Sequence, residues 1–148
     1  MIDTLRDMEI WHERARPEPT AESFNKQLGC HFEEICEMLE CLNVKDGYAG
    51  FLDDAFDALD CLATAMKAGI ATASILDGQR TDFLDSLADQ VVTAVGVGHC
   101  AVMDMSEACK RVNKSNWSKF VDGQPVFTDA GKIAKGPDYA PPDLRGLA

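Results

Sequence analysis

Apolar side chains fall at Leu28, Phe32, Ile35, Leu39 and Leu42, spaced four, three, four and three residues apart. At about 100° per residue these positions stay within an arc of roughly 80°, which predicts a helix over residues 20–42 with one face turned to a core. A second set, Leu84, Leu87, Ala88, Val91, Val92 and Val95, fits the i, i+3, i+4, i+7, i+8, i+11 template without a miss. It predicts another helix, with Thr81 as its cap. Gly96 and Gly98 are expected to end that helix or to let a neighbour approach closely. Residues 2–16 read as a first helix, stopped where Pro17 and Pro19 fix the backbone. "FLDDAFDALDCLATAMKAGIATASIL" predicts a third helix that frays near Gly69, and residues 101–113 a fifth.

Strand signals are nearly absent apart from a short "PVF" at residues 125–127. The expected fold class is therefore all-α: an antiparallel bundle of four to five helices with an irregular C-terminal tail. At 148 residues and 46% hydrophobic, one domain suits the chain, and two would each be marginal. The expected layout is a single domain over residues 1–148, with a helical body at 1–116 and an extended basic tail at 117–148. No charged-then-apolar leader is expected, and the longest apolar run is far below the roughly 20 residues a bilayer crossing needs. No membrane association is expected, and the six cysteines, without a CxxC pair or zinc spacing, read as free thiols in a reducing cytoplasm.

Charge alters this picture. A formal charge of -11 and a pI near 4.5 argue against nucleic acid as a partner, since such footprints begin with surplus base. Glu33, Glu34 and Glu37 cover about 100° of helix, centred opposite the apolar stripe. A solvated face would ordinarily intersperse lysine or arginine, yet no base lies between Lys26 and Lys45, and Cys30 and Cys41 share the arc. The pattern suggests a second covered surface whose charge is neutralised by something outside the chain. Asp82, Asp85 and Asp89 form a matching cluster, and Asp53, Asp54, Asp57 and Asp60 a rival one that spacing alone does not eliminate. Oxygen ligands without convergent histidine select Mg²⁺ or Mn²⁺. The lone Glu9-x-x-His12 pair lacks the second copy a di-iron centre requires, and reads as a surface contact.

Half of the fourteen bases lie from Lys110 onward, whereas residues 17–109 hold only Lys26, Lys45, Lys67 and Arg80. Carboxylate-bound cations together with several lysines suit a polyphosphate. No phosphate-binding glycine loop, nucleophile elbow or HExxH is present. Covalent catalysis has no candidate, whereas activation of a water by a metal needs none.

"HFEEICEML", "TDFLDSLADQVVTAVG" and "RVNKSNWSKFVDGQPVFTDAGKIAKGPDYAPPDL" resemble segments of the all-α nucleoside triphosphate pyrophosphohydrolases, the MazG-like and phosphoribosyl-ATP pyrophosphohydrolase-like superfamily, in a form common in phages. The likeness covers residues 20–43 and 81–144. It implies a homo-dimer or homo-tetramer holding two to three Mg²⁺ or Mn²⁺ ions per site and cleaving a (d)NTP into (d)NMP and pyrophosphate. Purine deoxynucleotides such as dGTP are the suggested substrates, and a phage-encoded copy would act in the host cytoplasm. By position the resemblance makes Glu33, Glu34 and Glu37 metal ligands, one of the first two handling the attacking water. Asp82 and Asp85 match its later ExxD pair, and Asp89 matches a further acid. Asn113, Asn116, Lys119, Lys132 and Lys135 match substrate-contacting positions. Asp82 stands where Glu is usual, Asn113 replaces a frequent His, and the third segment lengthens the gap from Glu37 to Asp82. From a different class, the alternative is a non-catalytic acidic helical interaction protein, either a nucleic-acid mimic or a cation-dependent adaptor.

Overall fold

The computed structural model describes residues 3–129 and 131–148; Ile2, expected to open the first helix, lies outside the described residues. Among the described residues there are five α-helices and no strands: α1 (Thr4–Ala15), α2 (Ala21–Glu40), α3 (Ala49–Lys67), α4 (Arg80–Cys100) and α5 (Met105–Trp117). The fold is all-α, as periodicity predicts. The "PVF" signal amounts to one isolated bridge, Phe127 with Ile133, beside a second between Val121 and Gln124. No helix of the described residues is long and apolar enough to cross a membrane. Contacts divide the chain into two compact units, Pro19–Ser74 and Met1–Glu18 with Ile75–Ala148.

The unit Pro19–Ser74 is an antiparallel hairpin of α2 and α3. A capping box starts α2: Ser23 N donates to Thr20 Oγ1 at 3.1 Å and Thr20 N donates to Ser23 Oγ at 2.8 Å, worth about 1 kcal/mol. The helices close upon Gly29, where an added Cβ would lie 2.9 Å from the Ala63 carbonyl oxygen and 3.1 Å from Met66 Cβ. Ala63 and Met66 are buried opposite it, and the Cys36 thiol reaches the Phe56 carbonyl at 4.0 Å. Small residues thus draw the contact to the Gly29–Cys36 side of α2. The expected stripe is only flanked: Leu28, Phe32, Ile35 and Leu39 are half-buried, and Leu42 is exposed. Buried Asn25 ties the returning chain down by donating to the Ala21 and Ala73 carbonyls at 2.8 and 3.2 Å and accepting from Ala73 N.

In the other unit, Trp11, Ala15 and Phe120 form a core against which Trp117 and Ile133 pack. Trp11 stacks on Phe120 with centroids 5.6 Å apart, and its indole N–H donates to the Asn116 carbonyl at 3.0 Å. Arg16 holds the tail on α1, donating to the Gly131 carbonyl at 2.7 Å and lying over the Phe127 ring.

Helix α4 departs from expectation at both ends. It begins at Arg80 behind Gln79, with no side-chain cap, so Thr81 lies inside the first turn and is not the cap. Positive φ at Gly78 turns the chain into the helix before Thr81 is reached. The helix passes through Gly96 and Gly98 to Cys100, so neither glycine ends it. Gly98 instead serves close approach, since a Cβ there would sit 2.7 Å from Met105 Sδ. Helix α5 starts four residues later than expected because Val102 adopts a left-handed φ of 62° and Asp104 then caps, accepting from Glu107 N at 3.0 Å. The apolar stripe of α4 is exposed: Leu84 and Val92 are each 67% exposed and Val95 is 48% exposed.

Candidate functional site

Glu33, Glu34 and Glu37 lie on α2, in the hairpin unit. Glu33 is half-buried and accepts from Lys67 Nζ at 2.5 Å, whereas Glu34 and Glu37 are exposed. The base missing from α2 is therefore supplied, for Glu33, by the last turn of α3. This corrects the expectation that only something outside the chain neutralises the cluster. The pair joins positions far apart in sequence, and the one signal for it was Lys67 as the sole base in α3.

The rival aspartates occupy the facing helix. Asp53, Asp54, Asp57 and Asp60 are all exposed on α3, and Asp60 comes near the glutamate side of α2. Burial pushes the Cys36 thiol up from its ordinary value, and the charges of Asp60 and Glu40, with a smaller one from Glu33, push the same way. The hairpin thus sets one acidic helix against another. Cys41, placed indoors by its arc, is exposed, and Cys30 is half-buried; Cys36 is the cysteine that faces α3.

Asp82, Asp85 and Asp89 lie on α4, in the other unit, and all three are exposed. Among the described residues no ion pair engages them. Their donor chemistry, oxygen only, suits a hard divalent cation. Among the described residues, however, no three His, Cys, Asp or Glu side chains are gathered closely enough to hold a metal ion. The residue types fit the metal.

The residues matched to substrate contacts differ in what they touch. Asn113 is buried and donates to Asp7 Oδ2 at 2.5 Å, beside the Trp117 indole N–H at 3.0 Å on the same oxygen. It fastens α5 to α1. Asn116 Oδ1 accepts from Lys119 Nζ at 2.8 Å, so these two act as a pair at the end of α5. Lys135 Nζ lies 4.9 Å from the centroid of the Tyr139 ring. Exposed Lys132 donates its backbone N–H to Thr128 Oγ1 at 3.2 Å. Sequence reasoning passed over Asp7, whose signal was its i, i+4, i+8 spacing with Trp11 and Ala15, which puts an acid on the buried side of α1.

The supposed Glu9–His12 contact is also replaced. Glu9 pairs with Arg6 at 3.0 Å, an arginine that holds Glu13 at 2.9 Å as well. His12 packs edge-on against Trp11, and desolvation there, followed by the charge of Arg16, lowers its pKa. No family model matches this chain, nor does any curated protein or any solved structure at the similarity required.

Proposed function

We propose that the chain is a MazG-like, metal-dependent (d)NTP pyrophosphohydrolase, cleaving between the α and β phosphates to release (d)NMP and pyrophosphate. The observation that carries this reading is the state of α4: Asp82, Asp85 and Asp89 stand exposed, without an ion-pair partner among the described residues, beside an exposed apolar stripe. Like charges at helical spacing repel, and exposed valines favour burial, so this helix is built to be covered. The proposed cover is assembly as a homo-dimer or homo-tetramer, in which Glu33, Glu34 and Glu37 complete the ligand set with the α4 aspartates. The bound Mg²⁺ or Mn²⁺, two or three ions per site, supplies charge that polarises the α-phosphoryl and makes a water acidic enough to attack.

The protein's own groups divide the remaining work. Of Glu33 and Glu34, either of which could handle the water, Glu34 is the more exposed and is assigned to orient and deprotonate it. Glu37, Asp82, Asp85 and Asp89 hold the cations. Lys119, steadied by Asn116, and Lys132 and Lys135 offset charge on the departing pyrophosphate. Asn113 keeps α5 in place through Asp7. Purine deoxynucleotides such as dGTP head the substrate panel.

The test is pyrophosphate release from a (d)NTP panel in Mn²⁺ and in EDTA. Turnover abolished by EDTA and lowered about 100-fold or more in Glu34→Gln supports the assignment. Robust turnover that Glu34→Gln and Glu37→Gln leave untouched defeats the site, and loss of activity in Asp60→Asn with Asp85→Asn unaffected transfers the second ligand set to α3. The second reading, a non-catalytic acidic interaction protein, gains if no nucleotide is bound or turned over.

A further inference from the structure

A cavity of about 480 Å³ lies between α5 and the C-terminal segment, on a different side of α5 from the one fastened to Asp7. Its wall is pinned at two points: Arg111 donates to the Asp143 carbonyl at 2.7 Å, and Ala140 N donates to Ser118 Oγ at 2.9 Å. The volume is that of a small-molecule site. Pro141 and Pro142 give it an apolar side, and Lys110, Arg111 and Lys114 give it a basic one.

The acids at its rim are already matched. Glu107 is bonded by Arg111 Nε at 3.0 Å and approached by Lys110 at 3.8 Å, while Asp143 is bonded by Arg145 at 2.8 and 2.7 Å. Lys114 has no ion-pair partner among the described residues. Surplus positive charge is therefore concentrated in a cavity of a chain whose formal charge is -11. The Arg111 fork has spent its Nε and one terminal nitrogen on protein oxygens, so the cavity offers no free bidentate clamp for a planar carboxylate. What remains are separate donors: two ammonium groups one helical turn apart, and the hydroxyl of Ser115, a residue 6% exposed that lines the cavity. Separate donors converging from several directions suit the clustered oxygens of a phosphoryl group.

We propose that this cavity is a binding site for a small phosphorylated molecule, separate from the metal-holding carboxylates and from Asn113, Asn116, Lys119, Lys132 and Lys135. Its phosphoryl oxygens meet Lys110, Lys114 and Ser115, and its organic body lies against the two prolines. The proposal does not rest on the hydrolase reading, and a metal-free test keeps the two apart.

Isothermal titration of the full chain with inorganic pyrophosphate in EDTA, at fixed ionic strength, reads the site directly. The expected result is saturable binding of one pyrophosphate per chain, weakened tenfold or more in the exposed pair Lys110→Ala/Lys114→Ala and severalfold in Ser115→Ala. Glu34→Gln, which would disable the hydrolase, is expected to bind as the parent does. Binding of AMP more tightly than inorganic phosphate would show that the proline wall receives the organic body. Absence of saturable binding, unchanged affinity in the lysine pair, or equal competition by acetate would overturn the proposal.

Discussion

Helices α1 and α4 belong to the same compact unit and are treated oppositely by it. Twelve residues of α1 place Trp11 and Ala15 in the core, bond the Trp11 indole to α5 and hold both Asn113 and Trp117 through Asp7. Twenty-one residues of α4 bury Gly98 and leave the valine and leucine stripe in solvent. The helix whose apolar residues fit the periodic template without a miss is thus the less buried one. Periodicity states that a face is to be covered; it does not state by what. An apolar stripe completed by another element of the same unit stabilises the fold, and one left exposed adds little to it.

The contrast can be broken most directly at Trp11. Trp11→Ala, losing the stack on Phe120 and the bond to Asn116, is expected to cost about 3–5 kcal/mol in denaturant unfolding. A cost near zero would remove the distinction between the helices. Asp7→Ala comes next, at about 1–3 kcal/mol, because it strands the buried Asn113 amide; a companion Asn113→Ala that adds little further loss would show that the two act as one contact.

On α4 the expectation reverses. Val92→Asp with Val95→Asp should change subunit stability by no more than about 0.5 kcal/mol, as at open surface positions, while light scattering reports lost self-association. A large stability loss with unchanged mass would mean that the stripe is core after all. The smallest effect concerns the tail. Arg145 holds the Asp143 carboxyl below its usual range through side-chain bonds and a backbone bond. Its contribution is present above the unfolded carboxylate value, about 3.9, and is lost as pH falls through the lower folded value. The difference between the parent and Arg145→Ala in acid unfolding should therefore vanish at the bottom of that window.

Helix existence was legible from apolar spacing because a 3.6-residue period leaves a trace whatever the helix packs against. Helix ends were less so: Thr81 resembles a cap, but the turn through Gly78 starts α4 earlier, and Asp104 outcompetes the residues before it. The acidic faces were legible as composition. Their surroundings were not, because Lys67 reaches Glu33 from the far end of a hairpin and Asp7 meets Asn113 from the opposite end of the chain. Spacing along one helix carries no record of a partner supplied by another.

Cys36 adds a practical consequence. Its thiol is sealed between α2 and α3 and kept protonated by burial and by its acidic neighbours, while Cys41, Cys61 and Cys100 face solvent. Alkylating reagents at neutral pH should consume the three outer thiols quickly and reach the sealed one only when the hairpin parts, so its delayed labelling becomes a clock for how often those two helices separate.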